Sequence, residues 1–383
     1  MTSYPDCPIT VRPTVVEVDL SRLAGNVRAI AEHTGRPLMG VVKANAYGHG
    51  LVPVARALLG CGVAQLGVAF LEEGIELRRA GITAPILVLG GLIGNQIGHF
   101  LDFDLTIGAS SPDKLRQIDQ VAAETGRRAQ VHLKIDTGMG RVGKRWDRAD
   151  EFFEQAVTAA HCDVTGVFSH FANSDAADTS FARVQLDRFL RATSFFEREG
   201  LPMPTRHMAN SGAVLQHPES WLDMVRPGIL LYGIYPSPEV PRTVPVRPAL
   251  SCKTRVVYFK VVEPGTTVGY DMTWTATQPT RVVTLPVGYG DGYSRALSNR
   301  GQVLIGGRRH PIIGRMSMDQ CGVSIGDSSA YNGDEVVLIG EQGGERITVE
   351  DVAEWVGTIP YEVLTMLNTR VPRTYSGGEA LVV

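Results

Sequence analysis

The stretch LMGVVKANAYGHGLVPVARALLGCGVAQLGVAFLEEGIELRR, residues 38–79, determines the predicted fold of the first part of the chain. Its apolar run Leu38–Val42 predicts a buried strand, and Val52–Leu59, after a glycine-rich turn, predicts a helix. The same order repeats at once, with Gln65–Ala69 as a strand and Leu71–Arg79 as a helix. Near-continuous apolar strands that alternate with helices indicate a buried parallel sheet.

The alternation continues on both sides of this stretch. Upstream, Thr14–Val18 predicts a strand, and Ser21 predicts the N-cap of a helix. Downstream, Ser111–Glu124 predicts a helix, and the further predicted strands are Pro85–Leu89, Leu105–Ile107, Val131–Ile135, Val164–Phe168, Arg206–Met208 and Met224–Val225. About eight such strands favour a closed (β/α)8 barrel of TIM type over residues 14–240, with a doubly wound open sheet as the alternative.

The pattern changes after Pro236, where prolines accumulate up to Pro248 and form a linker-like segment. Glycine and proline punctuate the β-rich runs beyond it. The predicted strands are Thr254–Val262, Arg281–Val287, Gln302–Ile305, Pro311–Ile313 and Glu335–Ile339, with one short helix at Val349–Trp355. We therefore expect an α/β plus β protein whose second domain, residues 241–383, is mostly antiparallel; residues 1–13 are a candidate for an additional strand of that domain.

Composition narrows the class of protein. The 383 residues are 44% hydrophobic and 20% charged with a net charge of −3, so neither a nucleic acid nor an anionic membrane is an expected partner. The five cysteines are scattered, which favours free thiols over disulfides or a zinc site, and no metal is predicted. The apolar run Ile86–Ile93 is too short for a membrane span. Residues 1–11 lack a secretory signal pattern, so a cytoplasmic location is expected.

The segment VVKANAYGHG, residues 41–50, has the densest chemistry. Lys43 directly follows a strand, at the barrel rim where active sites are built, and a desolvated lysine there is a nucleophile toward carbonyl groups. Spacing alone leaves open that Lys43 is a surface lysine before a flexible loop.

VVKANAYGHG resembles the lysine motif of the alanine racemases, and the likeness extends along the whole chain. The resemblance implies an isomerase that carries pyridoxal 5'-phosphate (PLP) as an imine on Lys43, with Tyr47 bonded to the cofactor phosphate. It also implies a homodimer with shared active sites that interconverts L-alanine and D-alanine and supplies D-alanine for peptidoglycan. The fold it implies, a PLP-binding barrel followed by a β domain, agrees with the strand pattern.

Further motifs extend the resemblance through the barrel. In HLKIDTGMGRVG, residues 132–143, the matching lysine of the family is carbamylated, which implies a carbamate on Lys134. That anion would orient Arg141, which contacts the cofactor's phenolic oxygen and the substrate carboxylate. A structural ion pair between Lys134 and Asp136 is the alternative.

The resemblance implies four further cofactor contacts in the barrel. His170 in SHFAN would pack on the pyridine ring, and Ser211 in HMANSG would bind the phosphate. In VRPGILLYG, Arg226 would donate to the pyridine nitrogen, while the N–H groups of Gly228 and Ile229 would complete the phosphate site. Because a guanidinium does not give up its proton, a ring held by Arg226 is a weaker electron sink than one that faces a carboxylate. Without the resemblance, each of these residues could be purely structural.

The second domain would supply the remaining site residues. Tyr270 in GYD matches a tyrosine that reaches into the partner's active site, so Lys43 and Tyr270 would be the two bases of a two-base mechanism. Met318 in SMDQ would bind the substrate carboxylate, and Ser317 stands where family members often have cysteine. Tyr361 would contact the cofactor and narrow the pocket. The access corridor implied by the resemblance comprises Asp175, Tyr289, Arg295, Arg315 and Ile359.

Three other functions remain open from the sequence. Pro360 replaces the asparagine of many family members, so a broad-specificity amino-acid racemase is the first alternative. A non-catalytic PLP-carrier protein of the same barrel type would lack the second domain. A PLP decarboxylase would place a carboxylate, rather than Arg226, at the pyridine nitrogen.

Overall fold

The computed structural model describes residues 11–378, which fall into two compact units. The barrel unit holds Ser21–Ala46 and Gly50–Arg247. The β unit holds residues 11–20, Tyr47–His49 and Pro248–Gly377. No helix among these residues is both long enough and apolar enough to cross a membrane.

The barrel unit is built on a parallel sheet that closes on itself. Its strands, in spatial order, are Met39–Val41, Gln65–Val68, Ile86–Val88, Thr106–Ala109, Ala129–Asp136, Cys162–Phe168 and Thr205–His207, and Lys144–Arg145 pairs with Ala129–Asp136. Met224 and Val225 close the ring, because Met224 bridges to His207 and Val225 bridges to Leu38, both in parallel. The predicted (β/α)8 barrel is therefore confirmed, and the open sheet is wrong.

The helices of this unit follow the predicted alternation. They are Leu20–Thr34, Leu51–Gly60, Leu71–Arg79, Ile97–Asp102, Pro112–Thr125, Asp150–Thr158, Ser180–Arg198 and Ser211–Gln216. Local chemistry sets their ends: Ser111 Oγ caps Pro112–Thr125 by accepting from the Lys114 N–H at 3.2 Å, and Gly126 ends that helix at φ 66°. The first helix begins at Leu20, so the predicted N-cap at Ser21 is wrong.

The β unit contains a ten-stranded sheet. Its strands are Tyr258–Val262, Thr280–Leu285, Cys321–Gly326, Arg308–Ile313, Gln302–Ile305, Glu335–Gln342, Leu250–Arg255, Val15–Asp19 and Arg373–Ser376 in spatial order, with Glu345–Ile347 paired to Glu335–Gln342. A separate ribbon pairs Thr267–Val268 with Trp274–Thr275. Pairing is antiparallel except between Val15–Asp19 and Arg373–Ser376, so the mostly antiparallel domain is confirmed.

The first strand does not belong to the barrel, contrary to the sequence-based expectation for Thr14–Val18. Val15–Asp19 pairs with Leu250–Arg255 and Arg373–Ser376, while the barrel unit extends from Ser21 to Arg247 rather than over residues 14–240. Val16 and Val18 are fully buried whereas the residues between them are not, and this alternation is typical of an antiparallel sheet with one covered face. The strand suggested for residues 1–13 falls mainly on residues 1–10, outside the described part of the chain.

Two further elements of the β unit differ from the prediction. The predicted strand Thr254–Val262 is two strands, Leu250–Arg255 and Tyr258–Val262. A second short helix, Pro360–Met366, follows Val349–Val356. Pro360 occupies its first turn, where a missing N–H costs nothing, and Val363 and Leu364 are its buried residues.

A turn of left-handed helix follows the strand Met39–Val41. Ala44, Asn45 and Ala46 have φ between 52° and 55°, and Tyr47 has φ 51°. This region is disfavoured for residues other than glycine, so the surrounding structure must hold the turn in place. Asn45 helps, since its Oδ1 accepts from the Leu51 N–H at 2.8 Å and its carbonyl oxygen accepts from the Gly50 N–H at 2.9 Å.

Candidate active site

The carboxyl ends of the parallel strands bring the predicted barrel residues to one rim. Lys43 follows Met39–Val41, Lys134 lies near the end of Ala129–Asp136, and His170 follows Cys162–Phe168. Ser211 begins the helix after Thr205–His207, and Arg226 follows the segment that closes the ring. Their charges act on one another: burial and then Arg141 lower the pKa of Lys43, and Arg226 lowers it further, while Glu73 opposes them.

Arg226 is the best-anchored side chain of this rim and is only 4% exposed. Its guanidinium donates to the His207 carbonyl oxygen at 2.6 Å and to the Ser169 carbonyl oxygen at 2.7 Å. Its Nη2 also lies 3.4 Å from His170 Nδ1. Burial lowers the pKa of Arg226 to about 9, which leaves it charged near neutral pH.

Two buried histidines extend from Arg226 that the sequence analysis did not assign. Arg226 Nη1 lies 2.9 Å from His207 Nδ1, and His207 Nε2 lies 2.8 Å from His132 Nδ1. Because a guanidinium only donates, His207 Nδ1 must accept, so His207 Nε2 carries the proton and donates to His132. Burial lowers the pKa of His132 to about 4 and that of His207 well below its ordinary value, so both rings are neutral. The signal in the sequence was that His132 and Lys134 are alternate residues of one strand.

Lys134 is a buried lysine that forms no salt bridge with any carboxylate of the described chain. The residue is 7% exposed, and its Nζ lies 4.6 Å from the centre of the Phe168 ring. Burial, followed by Arg226, Arg141 and Lys43, lowers its pKa to about 7. Within residues 11–378 no salt bridge joins Lys134 to Asp136, whose Oδ1 accepts from the N–H groups of Gly138 and Gly140 instead. Asp136 acts on Lys134 only at longer range, where it opposes the lowering of the Lys134 pKa.

Ser211 and Gly228 lie together in the barrel unit. The buried Ser211 hydroxyl accepts from the Gly228 N–H at 2.9 Å and from the Leu230 N–H at 3.3 Å. The residue between these two donors in the sequence, Ile229, begins the short 3-10 helix Ile229–Tyr232. A hydroxyl beside converging backbone N–H groups is a suitable arrangement for binding a phosphate.

The rim thus gathers the basic side chains of Lys43, Lys134 and Arg226. Glu73 and Asp136 act on the two lysines electrostatically, but within the described chain no carboxylate forms a salt bridge with any of the three. Arg141 adds a further basic side chain from the exposed loop after Ala129–Asp136, and it lines a cavity of about 530 Å³ together with Asp136. Cations that are partly or fully desolvated favour an anionic ligand in the site. A phosphorylated, phenolic cofactor such as PLP fits this requirement, and Lys43 is the amine that would attach it.

Tyr47 and Tyr361 meet within the β unit. Tyr47 is 7% exposed, burial raises its pKa, and its ring centre lies 6.1 Å from that of Tyr361. A neutral phenol in this position remains a hydrogen-bond donor at any physiological pH. The helix Pro360–Met366 positions Tyr361 at its first turn.

Four other predicted site residues of the β unit have exposed side chains. Tyr270, Met318, Tyr289 and Ile359 are 68%, 52%, 41% and 58% exposed. Tyr270 lies in the loop between Thr267–Val268 and Trp274–Thr275, and its backbone bridges to Arg315.

Ion pairs and backbone contacts fix the loops around these exposed residues. Arg315 Nε lies 2.6 Å from Asp271 Oδ2, which ties the loop after Tyr270 to Arg315. The Met318 carbonyl oxygen accepts from the Gly290 N–H at 2.8 Å. Arg295 begins the 3-10 helix Arg295–Leu297. Of the corridor residues, Asp175 belongs to the barrel unit, where its carbonyl oxygen accepts from the Ser237 hydroxyl at 2.5 Å.

Family models cover nearly all of the described chain. Residues 18–236 match the model described as "Alanine racemase, N-terminal domain", and residues 249–375 match "Alanine racemase, C-terminal domain". The chain is also 44% identical to an alanine racemase of Desulforamulus reducens over 95% of its own length and 99% of the relative.

Solved structures agree with these matches. The fold is similar to that of an alanine racemase from D-cycloserine-producing Streptomyces lavendulae, with a TM-score of 0.93 and 38% identity over 98% of this chain and 100% of the other. An alanine racemase from Bartonella henselae with covalently bound pyridoxal phosphate gives a TM-score of 0.87 at 28% identity, over 95% of this chain and 99% of the other.

Proposed function

The chain belongs to the alanine racemase family, and from this membership we propose that it interconverts L-alanine and D-alanine with PLP attached to Lys43. The observation that carries the proposal is the rim where Arg226 lies close enough to Lys43 and Lys134 to lower the pKa of both, while no carboxylate of the described chain forms a salt bridge with any of the three. A cofactor with a phosphate and a phenolic oxygen would balance the charge of these side chains.

Bound PLP withdraws electrons from the attached amino acid and so acidifies the proton on its Cα atom. Lys43 Nζ would accept or return that proton on one face of the carbon, and the lowering of its pKa by burial and by Arg141 favours the neutral form that a base requires. Arg226 would donate to the ring nitrogen and leave that nitrogen without a proton of its own. A ring nitrogen without its own proton makes the cofactor a weaker electron sink, which would limit the reaction to removal and return of the Cα proton.

Binding of the cofactor phosphate is assigned to a second group of residues. Ser211, Gly228 and Ile229 would contact it through the hydroxyl and the backbone N–H groups, and Tyr47 through its phenol. His170, held next to Arg226, would pack on the ring.

Arg141 and Lys134 would act as a pair. The pKa of about 7 leaves much of Lys134 as the neutral amine, which is the form that adds carbon dioxide. The resulting carbamate would replace a cation with an anion beside Arg141. Arg141 would then be oriented toward the cofactor's phenolic oxygen and the substrate carboxylate.

A homodimer would supply the second base. Racemisation requires proton transfer on both faces of the planar carbon, and Tyr270 of a second copy is proposed for the face opposite Lys43. Tyr270 and Met318 are each more than half exposed in the single chain, which suits residues that complete a site elsewhere. Met318 would bind the substrate carboxylate through its N–H. The access corridor would be lined by Asp175, Tyr289, Arg295, Arg315 and Ile359. Tyr361 would restrict the size of the substrate side chain.

Cytoplasmic location and use of D-alanine in peptidoglycan are part of the same proposal. A broader substrate range is the second candidate, because Pro360 begins the helix that carries Tyr361.

The test is a racemisation assay over a panel of L-amino acids, with the wild type and Lys43→Ala. We expect alanine to be preferred, and we expect the visible absorption of the bound cofactor to disappear in the variant. A variant that keeps this absorption would overturn the assignment of Lys43. Equal rates on large and small side chains would replace strict alanine specificity with the broader range.

A further inference from the structure

Glu73 contacts the backbone directly after the site lysine and the backbone at the end of the neighbouring strand. The Ala44 N–H, directly after Lys43, donates to Glu73 Oε1 at 2.6 Å. The Ala69 N–H donates to Glu73 Oε2 at 2.7 Å, and the Phe70 N–H donates to the same oxygen at 3.2 Å. One carboxylate therefore joins the left-handed turn after one strand to the end of the neighbouring strand, Gln65–Val68.

We propose that Glu73 is a positioning residue for Lys43, which holds the left-handed turn that presents the lysine at the rim. The inference deepens the proposed function, since it assigns the residue that sets the place of the attachment site. Three backbone N–H groups converge on one charged side chain, and hydrogen bonds to a carboxylate are among the stronger ones in proteins.

The turn requires such a restraint because of its conformation. Ala44, Asn45 and Ala46 occupy a backbone region that residues with a Cβ atom avoid. Ala44 is exposed and its methyl group cannot anchor it, so its N–H is the group through which the start of the turn is held. Asn45 restrains the end of the turn through Leu51 and Gly50.

The charge of Glu73 has a second effect on Lys43. Burial, Arg141 and Arg226 lower the pKa of Lys43, and Glu73 is the group that raises it. The same side chain thus fixes the backbone of Lys43 and moderates the loss of its proton.

Glu73→Gln tests the proposal, with Glu76→Gln as the matched control. Glutamine has the same shape but only one acceptor oxygen, so it cannot serve both sides of the contact. Glu76 lies one turn further along the same helix and is exposed, and its carboxylate forms no hydrogen bond or salt bridge within residues 11–378.

Two readouts are measured on the purified enzyme. The first is followed with the cofactor bound and again after its removal, and the second is followed after cofactor removal only. Amide hydrogen exchange resolved to single residues reports the Ala44 N–H, and we expect it to be about tenfold faster in Glu73→Gln. The pH dependence of lysine acylation, followed by mass spectrometry after cofactor removal, reports the Lys43 amine, and we expect its titration to move to lower pH. Glu76→Gln should change neither.

Glu73→Asp separates the two roles, because the shorter side chain keeps the charge but cannot span both backbone segments. We expect Ala44 exchange to be fast in this variant while the Lys43 titration stays close to that of the wild type. Exchange at Ala44 within about twofold of the wild type in both variants would overturn the proposal. The wild type alone offers a further test: an Ala44 amide that exchanges at the rate of an unstructured chain would also overturn the proposal.

Neither readout depends on the catalytic activity of the enzyme. A chain that failed to racemise any amino acid but showed both effects would retain Glu73 as the residue that positions Lys43. The failure of the proposed function is therefore distinguishable from the failure of this inference.

Discussion

Individual residues of the barrel rim combine burial with positive charge, and Lys134 is the clearest case. Its amine lies over the ring of Phe168 and forms no salt bridge within the described residues, and the effects of burial and of nearby cations outweigh that of Asp136. The protonated form is therefore disfavoured in the folded chain. Since the pKa is about 7 when folded and about 10.4 when unfolded, the unfolded chain binds more protons between those values.

This difference predicts how the cofactor-free protein responds to pH. Stability should rise as the pH increases from about 7 toward about 10, because the penalty for burying the charged amine disappears. Lys134→Met should remove this slope and raise the free energy of unfolding near pH 7 by on the order of 1–3 kcal/mol. Urea denaturation in buffer free of carbon dioxide measures both effects.

The control for that prediction is Lys114→Met, which removes a partly exposed lysine on the helix Pro112–Thr125. The pH dependence of the free energy of unfolding of Lys114→Met should match that of the wild type. A Lys134→Met protein that kept the wild-type slope would assign the slope to other titrating groups.

Residue roles differ in how far the sequence could predict them. Lys43, Arg226 and Ser211 lie at strand ends inside distinctive motifs, so both their placement and their proposed chemistry were accessible. His207 and His132 were not assigned, because a hydrogen-bonded pair of histidines depends on strands that are distant in sequence. Glu73 was predicted only as part of a helical segment, since its contact with Ala44 depends on the pairing of the two strands that precede these residues.

At the level of single elements, the left-handed turn after Lys43 is the least regular feature of the barrel unit. Nothing in VVKANAYGHG predicted it beyond a glycine-rich turn, because its alanines are strong helix formers of the ordinary hand. Tertiary contacts therefore override local preference there.

Ala44→Gly should stabilise the protein by about 1 kcal/mol, because glycine adopts positive φ without the steric cost that alanine incurs. The Ala44 N–H and its bond to Glu73 are retained in this variant. Thermal and urea denaturation measure the change.

The same substitution at Ala123, exposed in the helix Pro112–Thr125, should have the opposite sign and cost about 1 kcal/mol. If Ala44→Gly were as destabilising as Ala123→Gly, the turn would not be under steric strain.

For the whole molecule, the main question is how many chains make one site. If Lys43 of one chain works with Tyr270 of another, Lys43→Ala and Tyr270→Phe should each be nearly inactive alone. Mixed dimers would contain one intact site. Equal mixing with subunit exchange should then restore about a quarter of the wild-type activity per chain, because half of the dimers are mixed and each has one complete site.

Racemisation rates before and after mixing measure this recovery. Lys43→Ala mixed with a double variant carrying both substitutions is the control and should stay inactive. Absence of recovery in the first mixture, with exchange verified by mass, would place both bases in the same chain.

The domain plan followed from the sequence, apart from its boundaries. Alternating apolar strands and helices predicted the barrel, and the change after Pro236 predicted the second unit. Val15–Asp19 was misplaced because a strand before a helix satisfies the local pattern of a βα unit wherever its hydrogen bonds go. Only the partners in the sheet, Leu250–Arg255 and Arg373–Ser376, reveal its unit.

That first strand also has a consequence for biosynthesis. Val15–Asp19 leaves the ribosome before the entire barrel, but its neighbours are made only when synthesis has reached Leu250–Arg255 and then Arg373–Ser376. At ordinary elongation rates the strand waits for roughly tens of seconds with its backbone groups open. The barrel can close in that interval, whereas the sheet must wait for strands that are synthesised after the barrel. A ribosome stalled before residue 250 would therefore release a chain with a barrel and an unprotected strand edge, a substrate for chaperones or for aggregation.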